Sequence, residues 1–326
     1  MVEQIVVADI GGTNARFALA VLEASRRPAI SHITRLPVAD YPGIAEAWRD
    51  FADMVDQPLP NRASIAIAAP MRGETLSFTN SSWTIPRHGL EHALGIDEAL
   101  LLNDFGAAAH AVDVLEPAEL EHIAGPDMPL PRAGVVSLVG PGTGLGGALL
   151  AYPPAGGRPL IVETECGHIG FAPQDATEEA IARIARDRYG RISTERLAAG
   201  PGLAIIHDGL AALAGAPATS LDDKALWAAA IAGEERTARA ALDRFCRILG
   251  AVAGDIVLAQ GGAALVLGGG IAPRIAAHLR AGGFAGCFTD KGRYRDYMAA
   301  IPIRMMTHPE PGLLGAAVAF ARRPGK

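Results

Sequence analysis

The chain has 326 residues, of which 50% are hydrophobic and 20% are charged, a composition typical of a globular protein with a full core. This length predicts about two domains of ~150 residues each. The net charge of −6 and the lack of a basic block argue against a nucleic-acid partner and an acidic membrane surface. Three scattered cysteines without a Cys-x-x-Cys pair argue against a disulfide framework or a structural zinc site, and they favour a reducing, cytoplasmic compartment.

A glycine-rich turn joins the two strands of the first predicted pair. Its residues are Gly11-Gly12-Thr13-Asn14, and the strand before it ends at Asp9. Backbone N–H groups with no side chain in the way bind anions. A carboxylate at this point would repel a phosphate unless a cation lay between them, so Asp9 is predicted to hold Mg²⁺ through water. An aspartate in an Asx-turn is the alternative.

Strands and helices then alternate, which predicts an α/β sheet with crossover connections. Apolar runs bounded by proline, glycine and polar residues place these elements: a strand near 30–36, a helix over 44–55, a strand over 64–68, a strand over 98–102 and a helix over 105–115.

A carboxylate follows the strand over 98–102, in Asn103-Asp104. It lies at the carboxyl end of a strand and the amino end of a helix, where ligands of open α/β sheets bind. The helix dipole favours the ionised carboxylate, which suits a general base at neutral pH. A simple helix cap formed by either residue is the alternative.

A second glycine–threonine turn, Gly142-Thr143-Gly144, follows a loop over 125–134 and a strand. It contains a G-x-G-x-x-G pattern, but the apolar residues after it are few and run into Pro153-Pro154, which predicts a strand. A dinucleotide-binding fingerprint needs a helix there, so a nicotinamide dehydrogenase is disfavoured. A Walker A loop is excluded because no lysine precedes Lys224. Two such turns, one in each half of the chain, suggest a polyphosphate bound from both sides.

Acids and an imidazole lie close together further along the chain. Glu165 and His168 are surrounded by small residues and could converge on a polyhydroxylated ligand. A metal pair is disfavoured because no third or fourth ligand is near. A surface turn remains the alternative. Glu195, taken alone, is typical of an acid at the start of a helix.

The second half of the chain is mainly helical, with apolar residues spaced three and four apart over 177–188, 203–213 and 234–259. A buried strand over 264–267 ends in Gly268-Gly269-Gly270, which would let a flat group approach the backbone or would simply form a tight turn. Further helices are predicted over 273–281 and 313–321. The apolar stretch 248–271 is interpreted as a buried helix and a strand rather than a membrane span, because polar and glycine residues interrupt it.

Taken together and in order, these motifs resemble those of the bacterial glucokinases, within the hexokinase and actin-like ATPase superfamily. They span nearly the whole chain: residues 9–16, 102–105, 142–146, 165–168, 195–196, 200–203, 268–274 and 311–315. Cys166 departs from the family, which usually has glycine there. Sister kinases with a cysteine-rich zinc loop match less well, because residues 169–173 contain no cysteine. A sugar-sensing repressor is not expected, since no DNA-binding helices precede Val6.

The resemblance implies a two-domain α/β fold of the actin-like ATPase (ribonuclease H-like) type, with an active-site cleft between domains. A small α/β domain would comprise 1–114 plus about 306–326, and a large α+β domain 115–305. The implied reaction is phosphorylation of glucose by ATP to glucose 6-phosphate, with Asp104 as base. Glucose contacts fall to Asn103, Asp104, Glu165, His168 and Glu195; ATP and Mg²⁺ contacts fall to Asp9, Gly11, Gly12, Thr13, Asn14, Gly142, Thr143, Gly144, Gly268, Gly269 and Gly270.

Other functions remain open at the level of the sequence. The same fold could phosphorylate fructose, mannose or an N-acetylated sugar, or it could form a non-catalytic, actin-like nucleotide switch. The expected partners are glucose and ATP, without nucleic acid or membrane, and a homodimer is left open.

Overall fold

The computed structural model describes residues 2–24, 26–71, 73–78 and 83–323. The chain folds into two compact units. Unit 1 comprises Met1–Glu116 together with His308–Lys326, and unit 2 comprises Pro117–Thr307. The chain therefore leaves unit 1, completes unit 2 and returns to unit 1 for its last helix.

The strands and α-helices of the described residues are numbered in chain order. The strands are β1 (Val2–Ile10), β2 (Asn14–Glu23), β3 (Ala29–Pro37), β4 (Arg62–Ile67), β5 (Thr75–Ser77), β6 (Thr84–Pro86), β7 (Glu98–Asn103), β8 (Leu120–Ala124), β9 (Gly134–Pro141), β10 (Leu145–Tyr152), β11 (Leu160–Thr164), β12 (Gly262–Leu267) and β13 (Ile303–Met306). The helices are α1 (Ile44–Met54), α2 (Leu90–Leu94), α3 (Asp104–Val112), α4 (Ala176–Tyr189), α5 (Thr194–Ala198), α6 (Gly202–Leu213), α7 (Asp223–Ala232), α8 (Arg236–Gln260), α9 (Ala276–Ala281), α10 (Phe284–Thr289), α11 (Arg295–Ala299) and α12 (Pro311–Ala321).

The main sheet of unit 1 has the strand order β3-β2-β1-β4-β7. β1, β2 and β3 pair antiparallel, whereas β4 and β7 run parallel to β1. Ile10, Ile67 and Asn103 end the three parallel strands in one row of the pairing. The turn after β1 and the start of the helix after β7 therefore lie at the same edge of this sheet.

Helices cover both faces of the sheet in unit 1. On one face, Phe17 of β2 stacks on Phe51 of α1, with ring centroids 5.5 Å apart. On the other face α12 packs against α3 and β1. Gly315 of α12 lies so close to α3 that a Cβ there would overlap the carbonyl oxygen of Ala107. The last helix of the chain thus completes the core that its first strand begins.

The sheet of unit 2 has the order β11-β10-β9-β12-β13-β8. β9, β10 and β11 pair antiparallel, and β12 and β13 run parallel to β9. Its first five strands therefore repeat the arrangement of unit 1, with antiparallel strands on one side and parallel strands on the other. The two glycine–threonine turns occupy equivalent places, between β1 and β2 and between β9 and β10, as their similarity in sequence suggests.

Helix α8 is the centre of the core of unit 2. Its predicted apolar face is buried: Ala238, Ala241, Leu242, Phe245, Leu249, Val252 and Ile256. Gly250 and Gly254 allow the backbone of α10 to approach at Phe284 and Phe288. The apolar stretch 248–271 consists of the second half of α8 and of β12, as predicted. Within the described ranges no helix combines the length and apolarity needed to cross a bilayer.

Several short elements could not be predicted from the sequence. β5 and β6 have three residues each, too few for an alternating pattern to register. β11 is an edge strand whose side chains are mostly exposed, so it lacks an apolar face. The helix predicted over 273–281 is wrong in its first three residues, which belong to a 3₁₀ turn, Ala272–Ile275, that runs into α9.

His110 on α3 gives this fold a pH dependence. Its Nδ1 is buried and has no hydrogen-bond partner among the described residues. Burial, reinforced by the nearby Arg322 guanidinium and opposed by Asp113, lowers the pKa of His110 from 6.5 to about 4. The unfolded chain takes up a proton below pH 6.5, while the folded chain resists protonation until about pH 4. The contribution of His110 to stability is therefore complete above pH 6.5 and is lost as the pH falls.

We expect about 2 kcal/mol less free energy of unfolding at pH 5 than at pH 7.5 from this group.

Urea unfolding at both pH values measures this loss. The His110→Gln variant should lose that share of the pH dependence, whereas a variant of the exposed His88, His88→Gln, should keep it. Equal pH dependence in all three proteins would contradict the assignment.

Candidate active site

The turn between β1 and β2 presents backbone donors. Gly11 N donates to Asn14 O at 3.0 Å and closes the turn, while the Thr13 side chain is exposed. Within the described part of the chain, the N–H groups of Gly12 and Thr13 have no backbone acceptor. Unpaired N–H groups beside a hydroxyl suit phosphate oxygens, which is the chemistry predicted for this turn.

Asp9 is held in place from two sides. Its Oδ2 accepts a hydrogen bond from Nη1 of Arg16, the residue opposite it in the strand pair, at 2.8 Å. A Cβ on Gly312 of α12 would lie 2.6 Å from Asp9 Cγ. Burial raises the pKa of Asp9, and Arg16 and Arg35 oppose the rise. Among the described residues its carboxylate bonds to Arg16 and to no N–H of the turn, so the Asx-turn alternative is wrong.

The surroundings of Asp9 decide which kind of metal site is feasible. In the described ranges no group of three or more His, Cys, Asp and Glu side chains is arranged to hold an ion. Mg²⁺ keeps several waters and is usually bound through one or two carboxylates and substrate phosphates. A lone carboxylate beside a phosphate turn fits that mode of binding and does not fit a site built of protein ligands alone.

Asn103 ends β7 and caps α3. Its Oδ1 accepts hydrogen bonds from Phe105 N at 2.9 Å and Gly106 N at 3.3 Å, and its Nδ2 donates to Ala69 O at 3.4 Å. Asn103 is therefore the N-cap of α3. Asp104 is the first residue of α3 and is half-buried. The helix amino terminus stabilises its ionised form, which a base requires.

The strand register brings the unit 1 turn and Asp104 together. Gly11 follows Ile10 and Asp104 follows Asn103, and these two strand ends lie in one row of the sheet. Only β4 separates β1 from β7, so the strand ends are two strand spacings apart, about 10 Å. Unit 1 therefore presents a phosphate turn and a carboxylate at one edge.

The second turn joins β9 to β10. Gly142 N donates to Gly144 O at 2.8 Å, Gly200 N donates to Gly142 O at 2.8 Å, and the Thr143 side chain is exposed. β9 and β10 pair antiparallel right up to the turn. The glycine pattern therefore belongs to a hairpin, as predicted, and the helix that a dinucleotide fold requires is replaced by a strand.

The three glycines after β12 pack against the base of this second turn. Gly268 N donates to Val139 O at 2.9 Å, and Ile271 N donates to Pro141 O at 3.1 Å. Gly269 has a φ of +74°, and a Cβ there would lie 2.5 Å from Pro141 O. Both the backbone conformation and the close approach require glycine. Unit 2 thus brings together two motifs that lie more than 100 residues apart in the sequence.

Glu165 precedes a single 3₁₀ turn, Cys166–His168, and His168 is its last residue. His168 N donates to Glu165 O at 3.0 Å, and both side chains are exposed. They therefore project from neighbouring positions of one turn, as convergence on a ligand requires. Exposure alone is equally compatible with a surface turn.

Glu195 lies against the second phosphate turn. It is in the first turn of α5, as its sequence context suggests, but its Oε2 also accepts a hydrogen bond from Leu145 N at 3.0 Å. A Cβ on Gly144 would lie 2.5 Å from the same oxygen. No pattern in the sequence indicates this contact, because the bonded residues are 50 positions apart.

Cys166, the departure from the family pattern, fits into the turn beside Gly147. A Cβ on Gly147 would overlap the Cys166 sulfur. Burial raises the pKa of the thiol, so it stays protonated at neutral pH. The cysteine leaves both Glu165 and His168 on the turn.

Comparison with known proteins gives a consistent result. A model of the glucokinase family matches residues 6–323. A glucokinase from Zymomonas mobilis subsp. mobilis is 46% identical over 320 residues, which is 98% of each chain. The crystal structure of a glucokinase from an Antarctic psychrotroph is 31% identical, with a TM-score of 0.85 over 98% of this chain and 99% of that one. A glucokinase from Balamuthia mandrillaris, solved in complex with glucose, shares the fold at 21% identity, with a TM-score of 0.75 over 99% of this chain and 94% of that one.

These matches confirm the α/β fold of the actin-like ATPase (ribonuclease H-like) type and the resemblance seen in the motifs. Full-length identity of 46% and a family match from the first strand to the last helix leave one conclusion: the chain belongs to the glucokinase family.

Proposed function

We propose that the protein transfers the terminal phosphoryl group of ATP to the 6-hydroxyl of glucose, with Asp104 as general base. Membership of the glucokinase family supplies the reaction. The observation that supports the residue is the row of strand ends in unit 1, which sets Asp104 at the same edge as a phosphate turn. The same comparisons do not favour a kinase for fructose, mannose or an N-acetylated sugar, or a non-catalytic switch.

Asp104 is suited to take the proton of the attacking hydroxyl. As the 6-oxygen forms a bond to the γ-phosphorus, the bond from that phosphorus to the bridging oxygen of ADP breaks. The hydroxyl proton passes to the carboxylate. The amino end of α3 favours the ionised carboxylate that accepts it.

The phosphates of ATP would be bound mainly by backbone N–H groups that neighbouring glycines leave uncovered, and Mg²⁺ by a carboxylate. We assign the phosphates to the two turns and the adenosine to the triple glycine: Gly11, Gly12, Thr13, Asn14, Gly142, Thr143, Gly144, Gly268, Gly269 and Gly270. Mg²⁺ would be held by Asp9 through water. The ion would neutralise charge on the phosphates.

Glucose would be bound by hydrogen-bonding side chains of Asn103, Asp104, Glu165, His168 and Glu195. Carboxylates accept hydrogen bonds from hydroxyls, and an imidazole both donates and accepts. Such a site selects its sugar because a missing hydroxyl leaves its polar groups unpaired.

Two further assignments stay predictions: the two compact units are the two domains of the catalyst, and the enzyme acts in the cytoplasm. A homodimer stays open as a third question. The scattered thiols support the second, because a disulfide framework is not needed in a reducing compartment. Solution scattering on the purified protein would measure the third.

Asp104→Asn should lower kcat by roughly 10²–10⁴-fold, because a positioned base contributes about that much. The KM for glucose should change far less. A coupled assay of ADP release measures both. Asp53→Asn, on the exposed side of α1, is the matched control and should behave like the wild type. Near-normal turnover of Asp104→Asn would show that another group is the base.

EDTA should abolish activity, added Mg²⁺ should restore it, and a zinc-specific chelator should have little effect. Asp9→Asn should raise the Mg²⁺ concentration for half-maximal activity by roughly ten-fold, as expected when an outer-shell ligand is lost. Asp53→Asn again serves as the control. An unchanged Mg²⁺ requirement in Asp9→Asn, or stoichiometric zinc in the purified enzyme, would overturn this assignment.

Glu165→Ala and His168→Ala should each raise the KM for glucose by roughly ten- to hundred-fold, the cost of a lost hydrogen bond to a charged or polar partner. The KM for ATP should change far less, because the side chains of Glu165 and His168 are not among the groups assigned to ATP. Glu163→Ala, an exposed acid two residues before Glu165, is the control. Wild-type constants in both variants would support the surface-turn alternative.

A further inference from the structure

We propose that Thr194 is a positioning residue that fixes Glu165 and His168 relative to Glu195, and thereby sets the affinity for glucose. This inference rests on the proposed function, in which those three side chains contact the sugar. Thr194 itself contacts no substrate in that assignment.

Thr194 holds the turn that carries Glu165 and His168. It is the first residue of α5, and it is 3% exposed. Its hydroxyl donates to Gly167 O at 2.8 Å and to Cys166 O at 3.2 Å. Its N–H donates to Ile169 O at 2.9 Å. One buried residue therefore engages two carbonyls of the turn, those of Cys166 and Gly167, and the carbonyl of Ile169 directly after it.

The same turn and Glu195 meet at the backbone of Leu145. A Cβ on Gly167 would overlap Leu145 O, so the turn lies directly on that residue. Leu145 N donates to Glu195 at 3.0 Å. Since Glu195 follows Thr194 in α5, the hydroxyl of Thr194 closes a ring of contacts that runs from the turn through Leu145 and Glu195 and back to the turn.

A second link between the turn and the residues before α5 is weaker. Nη2 of Arg191 donates to His168 O at 2.7 Å, but this side chain is exposed. Water can replace an exposed bond at little cost, whereas it cannot reach the buried hydroxyl of Thr194 without movement of the turn. Thr194 therefore supplies the buried hydrogen bonds between the turn and α5.

Replacement of Thr194 by valine keeps its shape and removes its donor. Gly167 is buried, and among the described residues its carbonyl has no donor besides the Thr194 hydroxyl. The turn must then shift to find water, and Glu165 and His168 at its two ends shift with it. Glucose would have to restore the geometry when it binds, which lowers its affinity.

The test compares Thr194→Val with Thr194→Ser, which retains the hydroxyl, and with Thr289→Val. Thr289 is the matched control because its hydroxyl also donates to two carbonyls, Ala285 O and Gly286 O, both at 3.1 Å. We expect the KM for glucose of Thr194→Val to rise by roughly ten-fold, as for one buried acceptor left unpaired. The KM for ATP of Thr194→Val should stay within about two-fold of the wild type. Both KM values of Thr194→Ser and of Thr289→Val should also stay within that range, because the interactions that they report are unchanged.

A partly misfolded preparation of Thr194→Val would lower kcat and leave KM unchanged, so the split between the two KM values reports position rather than folding. A wild-type glucose KM in Thr194→Val, or an equal rise of both KM values, would overturn the positioning role. Glu165→Ala distinguishes a failure of the positioning role from a failure of the sugar assignment. If Glu165→Ala raises the glucose KM and Thr194→Val does not, only the positioning role fails. If neither raises it, the sugar assignment fails and the inference falls with it.

Discussion

In-register pairing of three parallel strands determines where the chemistry of unit 1 lies. Ile10, Ile67 and Asn103 end in one row, so the residues that follow them emerge at a common edge. Strand side chains alternate between faces, and a slip of one residue in β7 would reverse every side chain of that strand. Asp9 depends on the same pairing, because the register of β1 with β2 sets Arg16 opposite it. Helix α12 secures this sheet from outside, with Gly312 against Asp9 and Gly315 against α3.

Long elements of both units could be predicted from the sequence, because their apolar residues follow a period. Helix α8 buries the face that its spacing indicates, and the duplicated hairpin appears in both sheets at equivalent places. Short elements could not be predicted. A strand of three residues such as β5 has no period, and the edge strand β11 buries too little of itself to require an apolar face. Such elements form because neighbouring parts of the fold offer them hydrogen-bond partners.

The candidate site likewise contains residues that could be predicted from the sequence and contacts that could not. Residues at the ends of strands were predictable, since the ends of buried strands are visible in the sequence and Gly-Thr turns have a known use. Which of Asn103 and Asp104 caps α3 could not be read from the sequence and follows from the backbone angles and hydrogen bonds of Asn103. Contacts made by Thr194 and Glu195 depend on how α5 lies on β10 and on a turn 27 or more residues earlier in the chain. No local pattern encodes that packing.

The fit of Cys166 beside Gly147 couples two positions in the evolution of this chain. A methyl group at position 147 would meet the cysteine sulfur first, and its next neighbour, Leu138 O, would be 3.2 Å away. With glycine at 166 that obstacle disappears, and the neighbours that remain are Leu138 O at 3.2 Å and Thr164 Oγ1 at 3.4 Å. A methyl group at 147 therefore meets a larger obstacle while the cysteine is present than it would meet with glycine at 166. The cost of a substitution at 147 thus depends on whether position 166 has already changed.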